Sequence, residues 1–445
     1  MDLCNATLRL AALTLLALAS LSCQTFDWPP SLPLTSAATS SPPLLVSPSP
    51  PGSSGRLAYI GGDGNVYVIT ADRSSTIAVT KDATVAPEYS GFSYHRLSWS
   101  PDGRLAFAGV TRTNDDATST LYVVDSLDGP ARSVGQSDEH FVIYIYWSPA
   151  PCPGRPTCRR LAYLIEEGES ISLRLVEMEG AEVENRRLAR GWPFYFSWAP
   201  NSQQIIWHTG GARRHNPEAQ MALYDVERDE LQMLAQEPGL FLAPAWSPQG
   251  DRWLGVSAEA ALDQLQSFGP DQPVTLMSAP DGQMVFVWSP QGDQVAYAVR
   301  QYSNDPFYGP VHVFDVKTGE TERVTDVGFR ILGFFWAPDG QRLAYLTRQP
   351  LFDSIWMQWR VYDWVNERDR GFKMFHPSFQ MNFVVSSFNQ YAQSDRFWSP
   401  DSRYLVYADR DRAMVERVWL IDTWSEDGTQ AILVDEGAIG LWSWN

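Results

Sequence analysis

The sequence predicts an all-β protein, a β-propeller built from four-stranded antiparallel blades. Two observations carry this. A segment reading LSWSPDGRLA at Leu97–Ala106 recurs along the chain, as YWSPAP at Tyr146, SWAPNS at Ser197, AWSPQG at Ala245, VWSPQG at Val287, FWAPDG at Phe335 and FWSPDS at Phe397, with a truncated SWN at Ser443–Asn445. Each full copy is followed by a return strand, for example LAFA at Leu105, LAYL at Leu161, VAYA at Val295, LAYL at Leu343 and LVYA at Leu405. A repeat this regular marks an array of equal supersecondary units, each too small to bury its apolar face alone.

Within one unit the elements follow in order. The aromatic and the Ser-Pro end a first strand. Ser-Pro-Asp-Gly makes a tight turn, with Pro presetting φ and Gly accepting the left-handed exit. The LAY segment returns as the second strand. A third strand tends to end in Asp, at Asp125, Asp225, Asp315, Asp363 and Asp422. Weaker apolar runs such as Arg323–Thr325 and Ala431–Val434 supply a fourth. Four antiparallel strands per unit make a propeller blade. The marker tryptophans, Trp99, Trp147, Trp198, Trp246, Trp288, Trp336, Trp398 and Trp444, lie 42 to 62 residues apart. Counting return strands predicts eight blades, with seven as the alternative. The copy after Trp246 is irregular: VTLM at Val274 passes through one turn into VFVW at Val285, as though the outermost strand were missing.

The two ends of the chain complete each other. Arg56–Thr70 reads as second strand, turn and third strand with no WSPDG before it, and GLWSWN at the C-terminus reads as a first strand with nothing after it. The expectation is one shared blade closed by the C-terminal strand, which removes the exposed edge an open array would leave.

SPDG followed by LAY and a YVxD strand resembles the TolB-like propeller repeat of exported proteins, over residues 56–445. The resemblance implies the fold. It implies little about activity, since the repeat occurs in Tol-system proteins, in propeller domains of prolyl-oligopeptidase-type peptidases, in polysaccharide lyases and in many lipoproteins.

Residues 1–22 read as a signal peptide, with Arg9 as a thin positive region and an apolar run over Leu10–Leu21 that is short for a membrane span. Ser22-Cys23 resembles a bacterial lipoprotein signal, which makes Cys23 the expected site of lipidation; ordinary secretory cleavage nearby is the alternative. Residues 23–55 combine that anchor with a Pro/Ser-rich tether, a composition that favours extended chain and cannot bury a core. Export to the bacterial cell envelope, periplasmic or cell-surface, follows from this leader. The formal charge of −18 excludes nucleic acid as a natural partner and argues against anionic lipid surfaces, so membrane contact is expected only through the anchor. Cys152 and Cys158 flank an enlarged SPDG-type turn, and a disulfide is the expected pairing in an oxidising compartment.

Catalytic motifs are absent: there is no HExxH, no paired CxxC, no GxSxG and no Gly-rich phosphate loop. No catalytic residue, metal or cofactor is therefore assigned. Acidic pairs at Asp115-Asp116, Glu166-Glu167 and Asp409/Asp411 read as solvated surface before they read as acid/base pairs.

In a propeller the first-to-second and third-to-fourth turns share one face, and the second-to-third loops and the links between blades share the other. The long insertions fall in the second set: Thr111–Thr120, Thr209–Gln220, Ala258–Gln272, Gln301–Pro310, Arg348–Arg360 and His376–Arg396. Loops on a rigid scaffold usually carry recognition. The candidate ligand-binding residues are the cations Arg213, Arg214 and His215 and the aromatics Tyr302, Phe307, Tyr308, Trp356, Trp359 and Tyr391. Each could instead pack on its neighbour. The function expected is that of an exported, anchored, monomeric binding or scaffolding module for a protein, peptide or glycan. The alternatives are a TolB-type envelope assembly factor and a carbohydrate-active enzyme, a polysaccharide lyase or glycosidase on a propeller scaffold.

Overall fold

The computed structural model describes residues 55–444, apart from 86–90, 114–116, 138–140, 260–261, 270–272, 302–306, 350–354 and 426–430. The signal peptide, Cys23, most of the tether, Asp115, Asp116 and Tyr302 therefore lie outside the described residues.

Strands over 84–137, 142–191, 194–233, 245–278, 283–323 and 331–375 form six antiparallel sheets, five of them four-stranded and the first five-stranded. A seventh sheet of six strands joins Tyr404–Arg410, Glu416–Asp422, Ala431–Trp442, Arg56–Gly61, Val66–Thr70 and Thr76–Ala78 in that order. The ring is an all-β propeller of seven sheets, which corrects the count of eight. The eight repeats fit into seven sheets because Ala431–Trp442 is one unbroken strand. Its first half pairs with Glu416–Asp422 as the outer strand of the last repeat. Its second half pairs with Arg56–Gly61 as the inner strand of the first, with Leu57 opposite Trp442 and Ala58 opposite Leu441. Closure by the C-terminus is thus a property of the fold.

The repeat tryptophan has a definable task. Its indole N–H donates to the carbonyl of the residue just before the preceding repeat's tryptophan: Trp147 to Ser98 (3.0 Å), Trp198 to Tyr146 (3.2 Å), Trp288 to Ala245 (3.0 Å), Trp336 to Val287 (3.3 Å) and Trp398 to Phe335 (3.1 Å). Trp99 donates in the same way to Leu441 (3.1 Å), so the preceding repeat's tryptophan is Trp442 and not Trp444. The register agrees, since Leu57 faces Trp442 as Leu105 faces Trp99. These six indoles thus tie one inner strand to the next while the ring fills the space between sheets, an apolar body with one polar handle; the buried Nε1 of Trp246 and that of Trp442 have no such partner.

The turn motifs also resolve. In SPDG the Ser100 hydroxyl donates to Asp102 (2.6 Å) and accepts the Arg104 amide (2.8 Å), with Gly103 at φ 88°. The Asp that ends the third strand caps the next turn: Asp315 Oδ1 accepts the amides of Lys317 (2.9 Å) and Thr318 (2.7 Å). These donors hold the Asp315 carboxyl below its usual range.

The copy after Trp246 is a complete blade of Ala245–Trp246, Trp253–Glu259, Leu262–Phe268 and Val274–Ser278. Most of Ala258–Gln272 is therefore half of a hairpin and not a loop; Leu262–Phe268 is the third strand, and VTLM is the fourth. Cys152 and Cys158 form a disulfide across the enlarged turn, with Cα atoms 5.4 Å apart.

Candidate binding face

The link between the sixth and seventh sheets is where the sequence expectation changes most. Residues 376–396 do not form an open loop. They fold into two helices, α1 (Phe379–Ser386) and α2 (Phe388–Tyr391). Ser378 starts the first by accepting the Met381 amide on its hydroxyl (3.0 Å), an N-cap that the Ser-Phe-Gln-Met run carries in plain view.

Helix α2 fills the centre of the ring. The innermost strand of a blade leaves one edge unpaired, and its backbone groups need partners. Here polar side chains of the plug supply them. Gln390 accepts the Phe196 amide on Oε1 and donates Nε2 to the Phe196 carbonyl, both at 2.8 Å. Asn389 accepts from the Ala243 amide and donates to the Phe286 carbonyl, again both at 2.8 Å. Gln393 donates to Pro244 (3.1 Å), and the Tyr391 hydroxyl donates to the Ile143 carbonyl. Phe388 packs on Phe334 and Tyr308, with ring centroids 4.9 and 5.5 Å away. Gly333 makes room for it, since a Cβ there would lie 2.9 Å from Phe388 Cγ. The centre of the channel is occupied by the chain itself.

Asp395 closes the plug. It is buried, and its carboxylate accepts the Ser394 hydroxyl (2.9 Å). Burial pushes its pKa up to about 7, against the pull of Ser394 and of the Arg96 charge. The folded state therefore favours the neutral acid. Its stabilising contribution is complete below the unfolded carboxyl value near 4 and is lost as pH rises through about 7. We expect Asp395→Asn to raise the melting temperature relative to wild type by more at pH 8 than at pH 4, measured by thermal denaturation at both. An equal difference at the two pH values would contradict a buried, proton-binding Asp395.

The candidate residues separate into three groups. Trp359 and Tyr391 are core: Trp359 lies between Phe335 and Phe397 at 5.8 and 6.0 Å, and Tyr391 packs on Tyr144 at 5.0 Å. Tyr308 is also buried, and burial raises its hydroxyl above the usual range, as it does for Tyr391. These three are not available to a ligand. Trp356 and Trp359 lie in the strand Trp356–Asp363 and not in a loop, with Trp356 half-buried against His376. Arg213 donates to the Ala219 carbonyl (3.0 Å) and lies 3.6 Å from Glu237, while Arg214 lies 3.7 Å from Asp263; His215 is exposed beside them. The first two cations are answered locally and brace their own loop. Phe307 alone joins a cluster of charge, with the guanidiniums of Arg348 and Arg330 at 5.1 and 5.7 Å from its ring centre.

Four features of this face escaped the sequence reading. Phe379 and Phe383, one helical turn apart on α1, are 57% and 40% exposed at the mouth. The Arg410 guanidinium lies 4.2 Å from the Phe379 ring centre, and that of Arg96 lies 3.9 Å from Phe383. The spacing of the two phenylalanines after a Ser N-cap was the available signal.

The acidic residues described here have local partners. Glu167 is paired with Arg174 (3.3 Å) and Arg187 (3.2 Å), Asp411 with Arg417 (2.8 Å), and Asp409 accepts the Trp419 indole (2.7 Å). Among the described residues the one group with metal-ligand spacing is Cys152, Cys158 and Glu177, and both its sulfurs are spent in the disulfide.

No protein-family model and no curated protein matches the sequence. Among solved structures the chain is similar to a prolyl endopeptidase, at 10% identity and a TM-score of 0.51 over 79% of this chain and 50% of that one. It is similar to a structure described as the eukaryotic initiation factor, at 13% identity and 0.50 over 87% and 98%. It is also similar to TolB from Acinetobacter baumannii, at 12% identity and 0.39 over 75% and 81%. The chain thus spans half the length of the endopeptidase. Likenesses at such identities speak for the fold alone, and with the seven sheets of the ring they make the chain a β-propeller.

Proposed function

We propose that the protein is an exported binding module that docks a protein partner on the mouth of the ring, over the plug helix α1. One observation carries the reading: Asn389, Gln390 and Tyr391 hydrogen-bond to inner strands of three sheets and to Ala243, just before the inner strand of a fourth, so the plug takes up the centre of the ring. What the plug offers instead is its outer surface, with Phe379 and Phe383 exposed among the long loops. Apart from the enlarged Cys152–Cys158 turn, the opposite face carries tight turns whose polar groups are turned on themselves, as in Ser100–Arg104 and Asp315–Thr318.

Anchoring belongs to the same proposal. An acylated Cys23 and the Pro/Ser-rich segment after it would hold the ring off a bacterial membrane by a flexible spacer. Mass spectrometry of the mature protein is expected to find a lipid-modified Cys23; an unmodified N-terminus elsewhere would remove the anchor from the proposal.

The face itself is tested by a photo-crosslinking amino acid placed at Phe383 or, on the opposite face, at the exposed Lys317. In extracts of the source organism the Phe383 position is expected to give a discrete, saturable adduct and Lys317 none. A saturable adduct from Lys317 alone would assign binding to the other face.

A further inference from the structure

Many arginines of this molecule are paired with carboxylates. Arg104 lies 3.0 Å from Asp125, Arg159 2.8 Å from Asp102, Arg342 2.7 Å from Asp339, and the buried Arg160 2.7 Å from Glu177. Four arginines at the mouth are held differently. Arg96, Arg300, Arg348 and Arg410 make no ion pair with a carboxylate among the described residues. Instead each lies against an aromatic ring: Arg96 on Phe383 (3.9 Å), Arg300 on Tyr308 (5.6 Å), Arg348 on Phe307 (5.1 Å) and Arg410 on Phe379 (4.2 Å). The Nε atoms of Arg96, Arg300 and Arg348 are buried and have no hydrogen-bond partner.

Chain charge makes this arrangement informative. In a protein of net charge −18, four guanidiniums set on aromatic rings leave local positive charge on one face, tempered by Glu416 near Arg410 and Asp395 near Arg96. A buried donor left without a partner is destabilising, and three of them lie in this one region. The four side chains come from four different sheets, those of 84–137, 283–323 and 331–375 and the six-stranded one. They form an arc around the mouth and not a single pocket. An arc fits several anionic groups strung along a chain better than one small anion.

We infer that the partner presents an acidic peptide segment to this mouth, its carboxylates meeting the arginine arc and its apolar side chains meeting Phe379 and Phe383. The inference rests on the proposal that binding occurs on this face. The aromatic surroundings favour a peptide over an acidic glycan. A sugar stacks on an open ring face, and here Phe307, Phe379 and Phe383 each have a guanidinium against the ring. The overall negative charge opposes an extended anionic bilayer, which feels the whole molecule. A segment docked on the arc feels chiefly the local guanidiniums, because the Debye length is about 10 Å at 0.1 M salt.

Fluorescence anisotropy of the full chain tests the inference with four probes: a labelled peptide of alternating Glu/Asp and Phe/Leu, the same peptide with Lys/Arg for Glu/Asp, a labelled acidic oligosaccharide, and vesicles with anionic headgroups. The acidic peptide is expected to bind, to lose at least fivefold in affinity between 0.1 and 0.5 M NaCl, and to lose at least tenfold in the R348E/R410E double variant, with R252A on the opposite face unchanged. R348Q/R410Q, checked by its melting curve, serves if charge reversal unfolds the ring; if both unfold, the salt titration and the basic peptide decide. No binding of the acidic peptide, equal binding of the basic one, tighter binding of the oligosaccharide or vesicles, or indifference to the arginine substitutions would overturn the inference. If adducts form at Phe383 while the acidic peptide fails, only the partner's chemistry is wrong. If they form at Lys317 alone, the assignment of the face is wrong as well.

Discussion

Truncation after Gly440 is expected to abolish cooperative folding or to lower the melting temperature by about 10 °C or more. The deletion removes Leu441 and Trp442, 2% and 1% exposed, which pair with Ala58 and Leu57. Burial of two such side chains contributes roughly 3–6 kcal/mol. It also takes away the carbonyl that accepts the Trp99 indole, the Trp442 amide that donates to Arg396 (2.8 Å) and the Ser443 hydroxyl that accepts the Arg56 amide (2.9 Å). The inner edge at Arg56–Ala58 is then bare, while Tyr59–Gly61 keep Gly437–Gly440, and the bared stretch is free to pair with another chain, so aggregation should accompany the loss. Differential scanning calorimetry with light scattering reads both. A truncated protein that melts like the full chain would show that the ring is not held shut by this strand.

Phe388→Ala is the second large effect, a loss of about 3–5 kcal/mol, as for other buried Phe→Ala changes. The ring is 1% exposed and joins the plug to Phe334 and Tyr308, so its removal leaves a cavity at the axis. Gln390→Ala should cause a distinct loss of about 1–3 kcal/mol for each of the two Phe196 backbone groups left unpaired. Denaturant unfolding of both variants separates the two causes. A Gln390→Ala protein as stable as wild type would mean that the Phe196 edge is not satisfied by the plug.

Much of this architecture could be read from the residues, because each repeat carries its own physical instructions. Trp99, the Ser100–Gly103 turn and the Asp that ends the third strand all perform local tasks, and local tasks leave local motifs. Closure of the ring by residues near 441 was legible for the same reason. The blade count was not, because whether Ala431–Trp442 turns or runs straight on is decided by pairing partners nearly four hundred residues away in sequence. Trp444 was mistaken for the repeat tryptophan because Trp-Ser precedes it as it precedes Pro elsewhere, whereas the register with Leu57 selects Trp442. Leu262–Phe268 was missed as a strand because its central Gln and Ser residues break the apolar pattern, although Gln266 and Ser267 are buried.

The candidate site was less legible. A loop aromatic looks the same whether it faces solvent or fills the ring, so Tyr391 and Trp359 were grouped with Phe307. What separates them is tertiary: α2 needs both the width of the channel and the unpaired edges of the inner strands, and neither exists in the local sequence. The arginines of the mouth are scattered from Arg96 to Arg410 and become an arc only when the ring closes.

The account stands most directly on the plugged centre, and amide exchange of Phe196 and Ala243 tests it. Both amides donate to plug side chains, Gln390 and Asn389, at 2.8 Å. In the free protein they are predicted to exchange as slowly as the interior ladder amides of their sheets, and Gln390→Ala should release Phe196. Exchange of both at the rate of unprotected amides in the wild-type protein would contradict the account, because the channel would then be open to solvent and to ligands.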